Sequence, residues 1–181
     1  MKEDITLEIE IAKGVTAAVI SDKLSIKGPK GIVERIFKHP RITISADASK
    51  IRLVSVAATK REKTAIYSFE SHIKNMVKGV QEPHIYKVRV CSGHFPMAVS
   101  ISGTEFTIKN FLGEAVPRKV SLMSGSEVKV DGNDITISSP NKEIAGQNAA
   151  KIELLTRITN RDRRIFQDGC YITQKAGRDV I

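Results

Sequence analysis

Four arginines fall within eight residues near the end of the chain, at Arg157, Arg161, Arg163 and Arg164, and Phe166, Asp168-Gly169 and Tyr171 follow directly. A guanidinium holds phosphate oxygens in a two-pronged fork or lies flat on a base, and an aromatic face can do the second job too. The chemistry this stretch supports is recognition of a folded polyanion. The alternative is a solvated basic tail that packs Phe166 and Tyr171 back onto the body.

Other segments carry the same kind of chemistry. Lys27, Lys30, Arg35, Lys38, His39 and Arg41 cluster around Gly28 and Gly31, where glycine lets backbone amides approach phosphates. A counterpart further on holds Lys109, Asn110, Arg118 and Lys119. The segment Asn141-Lys142 to Gln147-Asn148-Ala149-Ala150 reads as a helix start. Its small residues and amides suit close contact with an RNA backbone, or equally close packing on a sheet. Lys151 on the same helix and Lys175 in the tail complete the candidate RNA contacts.

Catalytic constellations are weak. His84, Cys91 and His94 have the spacing H-x6-C-x2-H, three donors where structural zinc takes four in paired short spacings, so no metal is expected. Gly28-Pro-Lys-Gly31 lacks the length and the Lys-Ser/Thr ending of a phosphate-binding loop and reads as a turn. There is no Gly-x-Ser-x-Gly elbow, and no carboxylate pair stands out at a spacing suited to acid–base chemistry. No cofactor is expected.

Composition narrows the classes. The 181 residues carry a net charge of +9 and are 41% hydrophobic, with only 5% aromatic and no Trp. The apolar mass is Ile, Val and Ala, suited to small sheets covered by helices. Nucleic acid is the first partner such a charge favours, acidic membrane surfaces the second. No apolar run reaches the roughly 18 residues that span a bilayer, and the first residues carry acids in place of a signal-peptide core. Cys91 and Cys170 make no disulfide framework and are read as reduced thiols of a cytoplasmic protein. The charge is uneven: net +6 over residues 1–80, zero over 81–156 and +3 over 157–181.

The elements that must position these groups follow from periodicity. Alternation predicts strands at 5–11, 15–20 and 23–27, a further one at 32–37, and a hairpin from 42–44 to 51–54 around polar residues 46–50. Thr59 with Glu62 is a capping box, and Ile66, Phe69, Ile73, Met76 and Val77 share one helical face that Gly79 would close as C′ residue. After Gln81-Glu82-Pro83 the order begins again. Strands are predicted at 86–90, 97–101, 104–109 and 120–123, with a hairpin over 128–137 turning at Asp131-Gly132 and a helix capped by Asn141. Leu24-Ser-Ile-Lys27…Gly31 matches Phe106-Thr-Ile-Lys109…Gly113 at a spacing of 82, and Lys60 meets Lys142 at the same spacing. Such a period is too long for a solenoid. The reading is an α+β protein of two tandem duplicated small domains, 1–81 and 82–157, each an antiparallel or mixed sheet covered by a helix. Residues 158–181 follow as a basic extension packed on the second domain and on RNA.

His94-Phe-Pro, Ile108-Lys-Asn-Phe-Leu-Gly-Glu114, Gln147-x-Ala-Ala150 and Thr156 to Ile172, with its Arg-x-Phe-x-Asp-Gly-x-Tyr core, carry a resemblance to the ribosomal protein L-six family in its archaeal and eukaryotic form. The resemblance covers essentially the whole chain. Cys170 stands where the family more often has an aliphatic residue, and the Tyr-Lys-Gly-Lys-Gly ending of the bacterial form is absent. The resemblance implies a non-catalytic constituent of the large ribosomal subunit. It would bind large-subunit rRNA near the factor-binding region and sarcin–ricin loop, beside neighbouring ribosomal proteins, where translation GTPases land, and would support subunit assembly. It places RNA contacts on Lys109, Asn110, Lys142, Gln147, Arg157, Arg161, Arg163 and Arg164. The competing classes are an enzyme acting on RNA, which would need a cluster of perturbed acids or histidines, and a free RNA-binding regulator.

Overall fold

Alternation and capping are realised twice in this computed structural model, which describes residues 3–47 and 49–180. Met1, Lys2, Ala48 in the expected 46–50 hairpin turn, and Ile181 lie outside the described residues. The chain divides into two compact units, residues 1–83 and 84–181.

In the first unit, β1 (Glu3–Glu10), β2 (Thr16–Ile20), β3 (Lys23–Gly28), β4 (Gly31–Ile36), β5 (Thr43–Ala46) and β6 (Lys50–Ala58) precede α1 (Lys60–Gln81). The strands fall into two antiparallel sheets, ordered β1-β6-β5 and β2-β3-β4. Leu24 and Ile26 of β3, Ile51 and Leu53 of β6, and Ile66 and Ile73 of α1 close one core. The period of two along the strands meets the 3.6 period of the helix there. At the start of α1 the Glu62 carboxylate accepts from the Thr59 backbone N–H at 2.9 Å and from its hydroxyl.

The helix runs past the expected stop at Gly79 and ends at Gln81, with Glu82 as its cap. Tertiary packing extends it. Val80 is fully buried, its carbonyl accepts the Lys30 N–H at 3.0 Å, and a Cβ added to Gly28 would stand 2.8 Å from it. The 28–31 turn is therefore built first of all to let α1 close in. At least one of its backbone amides, that of Lys30, is committed to the helix end and not open to a phosphate.

The second unit repeats the order. β7 (His84–Cys91), β8 (Ala98–Ser102), β9 (Glu105–Lys109), a 3-10 turn at Phe111–Gly113, β10 (Arg118–Ser121), β11 (Glu127–Asp131) and β12 (Asp134–Ser139) precede α2 (Lys142–Leu155). One sheet is ordered β8-β9-β10, matching β2-β3-β4, and β7-β12-β11 matches β1-β6-β5. The difference lies at the free edge of β7. There β13 (Gly169–Lys175) pairs antiparallel, followed by β14 (Arg178–Asp179), giving a five-stranded sheet. Cys170 and Ile172 enter the core with Val88, Val90, Ile135, Ile137, Ala149 and Ile152. All the strand pairings among the described residues are antiparallel.

Candidate nucleic-acid interface

The arginine-bearing segment is held by its neighbours on either side. Upstream, Thr156 is buried at the end of α2; its hydroxyl donates to the Glu153 carbonyl at 3.0 Å and accepts the Cys170 N–H at 2.9 Å. The Arg118 guanidinium donates to the Leu155 carbonyl at 2.8 Å, which satisfies an acceptor that a helix end otherwise leaves open. Downstream, Asp168 is 3% exposed and binds the loop after β7. It accepts from the Gly93 N–H at 2.5 Å and the His94 N–H at 3.0 Å, and its second oxygen meets His94 Nδ1 at 2.5 Å. Burial pushes the Asp168 carboxyl upward, but the bonds from the His94 backbone, the His94 ring and Gly93 outweigh it and hold the group below its ordinary value.

Between these anchors the chain turns at Asp162, whose carbonyl accepts the N–H groups of Ile165 and Phe166. The turn lays Phe166 on the His94 ring, centroids 4.9 Å apart, with the Arg161 guanidinium 4.8 Å from the Phe166 ring centre. Arg164 folds back on Asp162 at 2.7 Å. Arg157, Arg161, Arg163 and Arg164 are all exposed. The Tyr171 phenol is raised by burial, with Arg163 close enough to oppose that shift.

The loop after β7 also reaches the other motif. Asn110, left-handed at φ 61° and exposed, donates its side-chain amide to the Pro96 carbonyl at 2.9 Å. The Phe95 ring lies 3.4 Å from where a Gly113 Cβ would stand. Three segments remote in sequence, 93–96, 110–113 and 156–168, therefore meet in one constellation, with Lys109 exposed beside Asn110.

The remaining candidates are dispersed. Lys142 opens α2, and Gln147 is exposed on it. Lys151 donates to the Ser121 carbonyl at 3.0 Å. Lys175 ends β13, six residues from Gly169 and so about 20 Å along the strand. Asn148 is a correction. It is fully buried, its oxygen accepts the Met123 N–H at 2.8 Å, and its nitrogen donates to the Met123 carbonyl and Ser126 Oγ. Its amide holds the 123–126 turn and cannot meet RNA. Arg118 is likewise structural: besides Leu155 it binds Glu114 at 2.8 Å and lies 4.3 Å from the centre of the Phe111 ring. Lys119 pairs with Glu105 at 2.7 Å. In the first unit, Arg35 bonds His72 at 3.0 Å, so that histidine has a role that sequence periodicity did not reveal.

The residues missed as a working unit are His94, Phe166 and Asp168. Their signal was present in Phe-x-Asp-Gly, since an aspartate beside a strand-opening glycine is placed to bind a facing loop, but the partner loop is 74 residues away. The H-x6-C-x2-H triplet does not converge. His84 is buried at one end of β7, Cys91 is exposed at the other, and His94 faces Asp168.

The family model described as Ribosomal protein L6 matches residues 11–83 and 95–169, one stretch in each unit. The chain is similar to large ribosomal subunit protein uL6 of Methanosarcina mazei, 43% identical over 97% of this chain and 100% of that protein. It is also similar to the proteins of that name from Haloquadratum walsbyi, 42% identical over 92% of this chain and 94% of that one, and Nanoarchaeum equitans, 41% identical over 98% and 96%. With each unit matched once by the family model and relatives 41–43% identical over nearly the whole chain, the chain belongs to the ribosomal protein L6 family.

Proposed function

We propose that this chain is a structural, non-enzymatic constituent of the large ribosomal subunit in the cytoplasm. In this reading it binds large-subunit rRNA near the factor-binding region and sarcin–ricin loop, through the second unit and its arginine segment. It supports subunit assembly and the surface where translation GTPases act, beside neighbouring ribosomal proteins. The observation that carries this reading is the exposed run Arg157 to Arg164, held between the Thr156 and Asp168 anchors. A backbone anchored in this way leaves less of the chain to order when its guanidiniums meet phosphates. Lys109 and Asn110, tied to the same loop, extend the surface, and Lys142 and Gln147 on α2 are further contacts. Affinity comes mainly from phosphate neutralisation and from the shape of the folded RNA.

The test is binding of the full-length chain to large-subunit rRNA at several salt concentrations. Replacing Arg161, Arg163 and Arg164 with Ala is expected to weaken binding and to flatten the slope of log affinity against log salt by about 2. An unchanged slope would remove this segment from the interface.

A further inference from the structure

Beside the arginine segment, the loop after β7 and the start of β13 enclose a groove of about 700 Å³. Cys91, Gly93, Ile165, Gln167 and Tyr171 are among the residues that line it. Its lining differs in kind from the basic surface around it. Ile165 is 64% exposed, an apolar side chain that the core does not use. Gln167 is exposed; its amide nitrogen donates one hydrogen to the Arg164 carbonyl at 3.3 Å, leaving a second N–H and the amide oxygen, donor and acceptor together. Tyr171 leans across Gly169, its ring 3.5 Å from where a Cβ there would stand. The one carboxylate in the lining, Asp168, is occupied by Gly93 and His94.

We propose that this groove is a nucleotide subsite that takes the base of one unpaired, extruded nucleotide of a folded RNA. The base lies against Ile165 and Tyr171 with its edge read by Gln167, while Arg161 and Arg163 hold the flanking phosphates. The proposal rests on the RNA-binding reading above and names what that surface selects. The major groove of an A-form helix is too narrow for side chains to read, so base-specific recognition of RNA falls mostly on splayed-out nucleotides. An aromatic and an aliphatic wall with a single amide complement a base, and exposed guanidiniums on the same short segment complement the phosphates on either side of it.

Cys91 supplies the reporter. It is exposed in the groove, whereas Cys170 is buried and its thiol is pushed up to about 12, so iodoacetamide reads Cys91 alone. The full chain is bound to protein-free large-subunit rRNA, Cys91 alkylation is timed, and the backbone reactivity of the rRNA is mapped at each nucleotide. Bound rRNA is expected to slow alkylation about tenfold and to change the reactivity of one unpaired nucleotide; Gln167→Ala and Ile165→Ser, both at exposed positions, are expected to lose that nucleotide's signal and about three- to tenfold in affinity. The rest of the footprint and the salt slope stay as in the unsubstituted chain. Undiminished alkylation in the bound complex, or a footprint of both variants identical to that of the unsubstituted chain, overturns the subsite and leaves the RNA-binding reading standing. Failure of the unsubstituted chain to bind the rRNA at low salt overturns that reading and the subsite with it.

Discussion

Single polar groups in this protein divide between those that hold the fold and those left facing water, and residue type alone does not sort them. Asn148 and Gln147 are adjacent amides on α2, one fully buried with its amide hydrogen-bonded on both atoms, the other exposed. Replacing Asn148 with Ala removes both bonds to the Met123 backbone and leaves a gap at a fully buried position. It is expected to cost about 2–4 kcal/mol in urea unfolding with no change in rRNA affinity of the folded chain. A stable variant with weakened RNA binding would reverse that assignment. Glu62 makes a second residue-scale prediction. Hydrogen bonds from the Thr59 side chain and then its backbone, with Arg41 adding to them, hold its pKa down from 4.5 to about 2. A folded-state value below the unfolded one means that this stabilisation is fully present above 4.5 and is lost as pH falls toward about 2. Asp168, also lowered, acts with the same sign. Thermal unfolding followed from neutral to acid pH should therefore fall less steeply in Glu62→Gln than in the unsubstituted chain through that window; parallel curves would rule Glu62 out as a source of the acid limb.

At the scale of elements, α1 shows how tertiary contact resets a local boundary. Gly79 looks like a stop, yet α1 continues because Val80 fills the space above Gly28 and its carbonyl receives the Lys30 amide. A methyl group at residue 28 would meet Val80 side chain and backbone at 2.8 Å. Gly28→Ala is expected to destabilise the first unit by about 1–3 kcal/mol through overpacking, as measured by chemical unfolding. A neutral effect would show that the end of α1 can move aside. In the second unit the comparable decision falls on β13. The residues after the arginine segment alternate well enough for a strand, but only pairing with β7 places Cys170 and Ile172 inward and Tyr171 outward beside the groove.

At the scale of the whole molecule, one architecture used twice carries two different surfaces. The first unit has the larger net positive charge, yet several of its cations are paired. Lys23 meets Glu34, Lys50 and Arg52 share Glu8, and Lys74 meets Glu70. The second unit carries a net charge of only +1 up to residue 156 and gains +3 over residues 157–181. No helix among the described residues is long and apolar enough to cross a membrane. The proposed role predicts that the endogenous protein sediments stoichiometrically with the large subunit and stays there through a high-salt wash. A mainly slow-sedimenting pool would favour a free RNA-binding regulator.

Sequence alone determined the duplication, the order of strands and helices as far as α2 and the arginine segment, because each is written in local periodicity, capping or composition. Leu24 and Ile26, Phe106 and Ile108, Thr59 with Glu62, and Asn141 before α2 all act within a few residues of themselves. Tertiary structure alone decided which polar groups stay free. Asn148, Arg118 and the Lys30 amide find partners 22 to 50 residues away. Asp168 reaches back 74 residues to His94, and Cys91 comes to line one groove with Tyr171. A hydrogen bond or a close approach between remote segments leaves no periodic trace in the chain, so the interface becomes legible only once the sheet has brought its edges together.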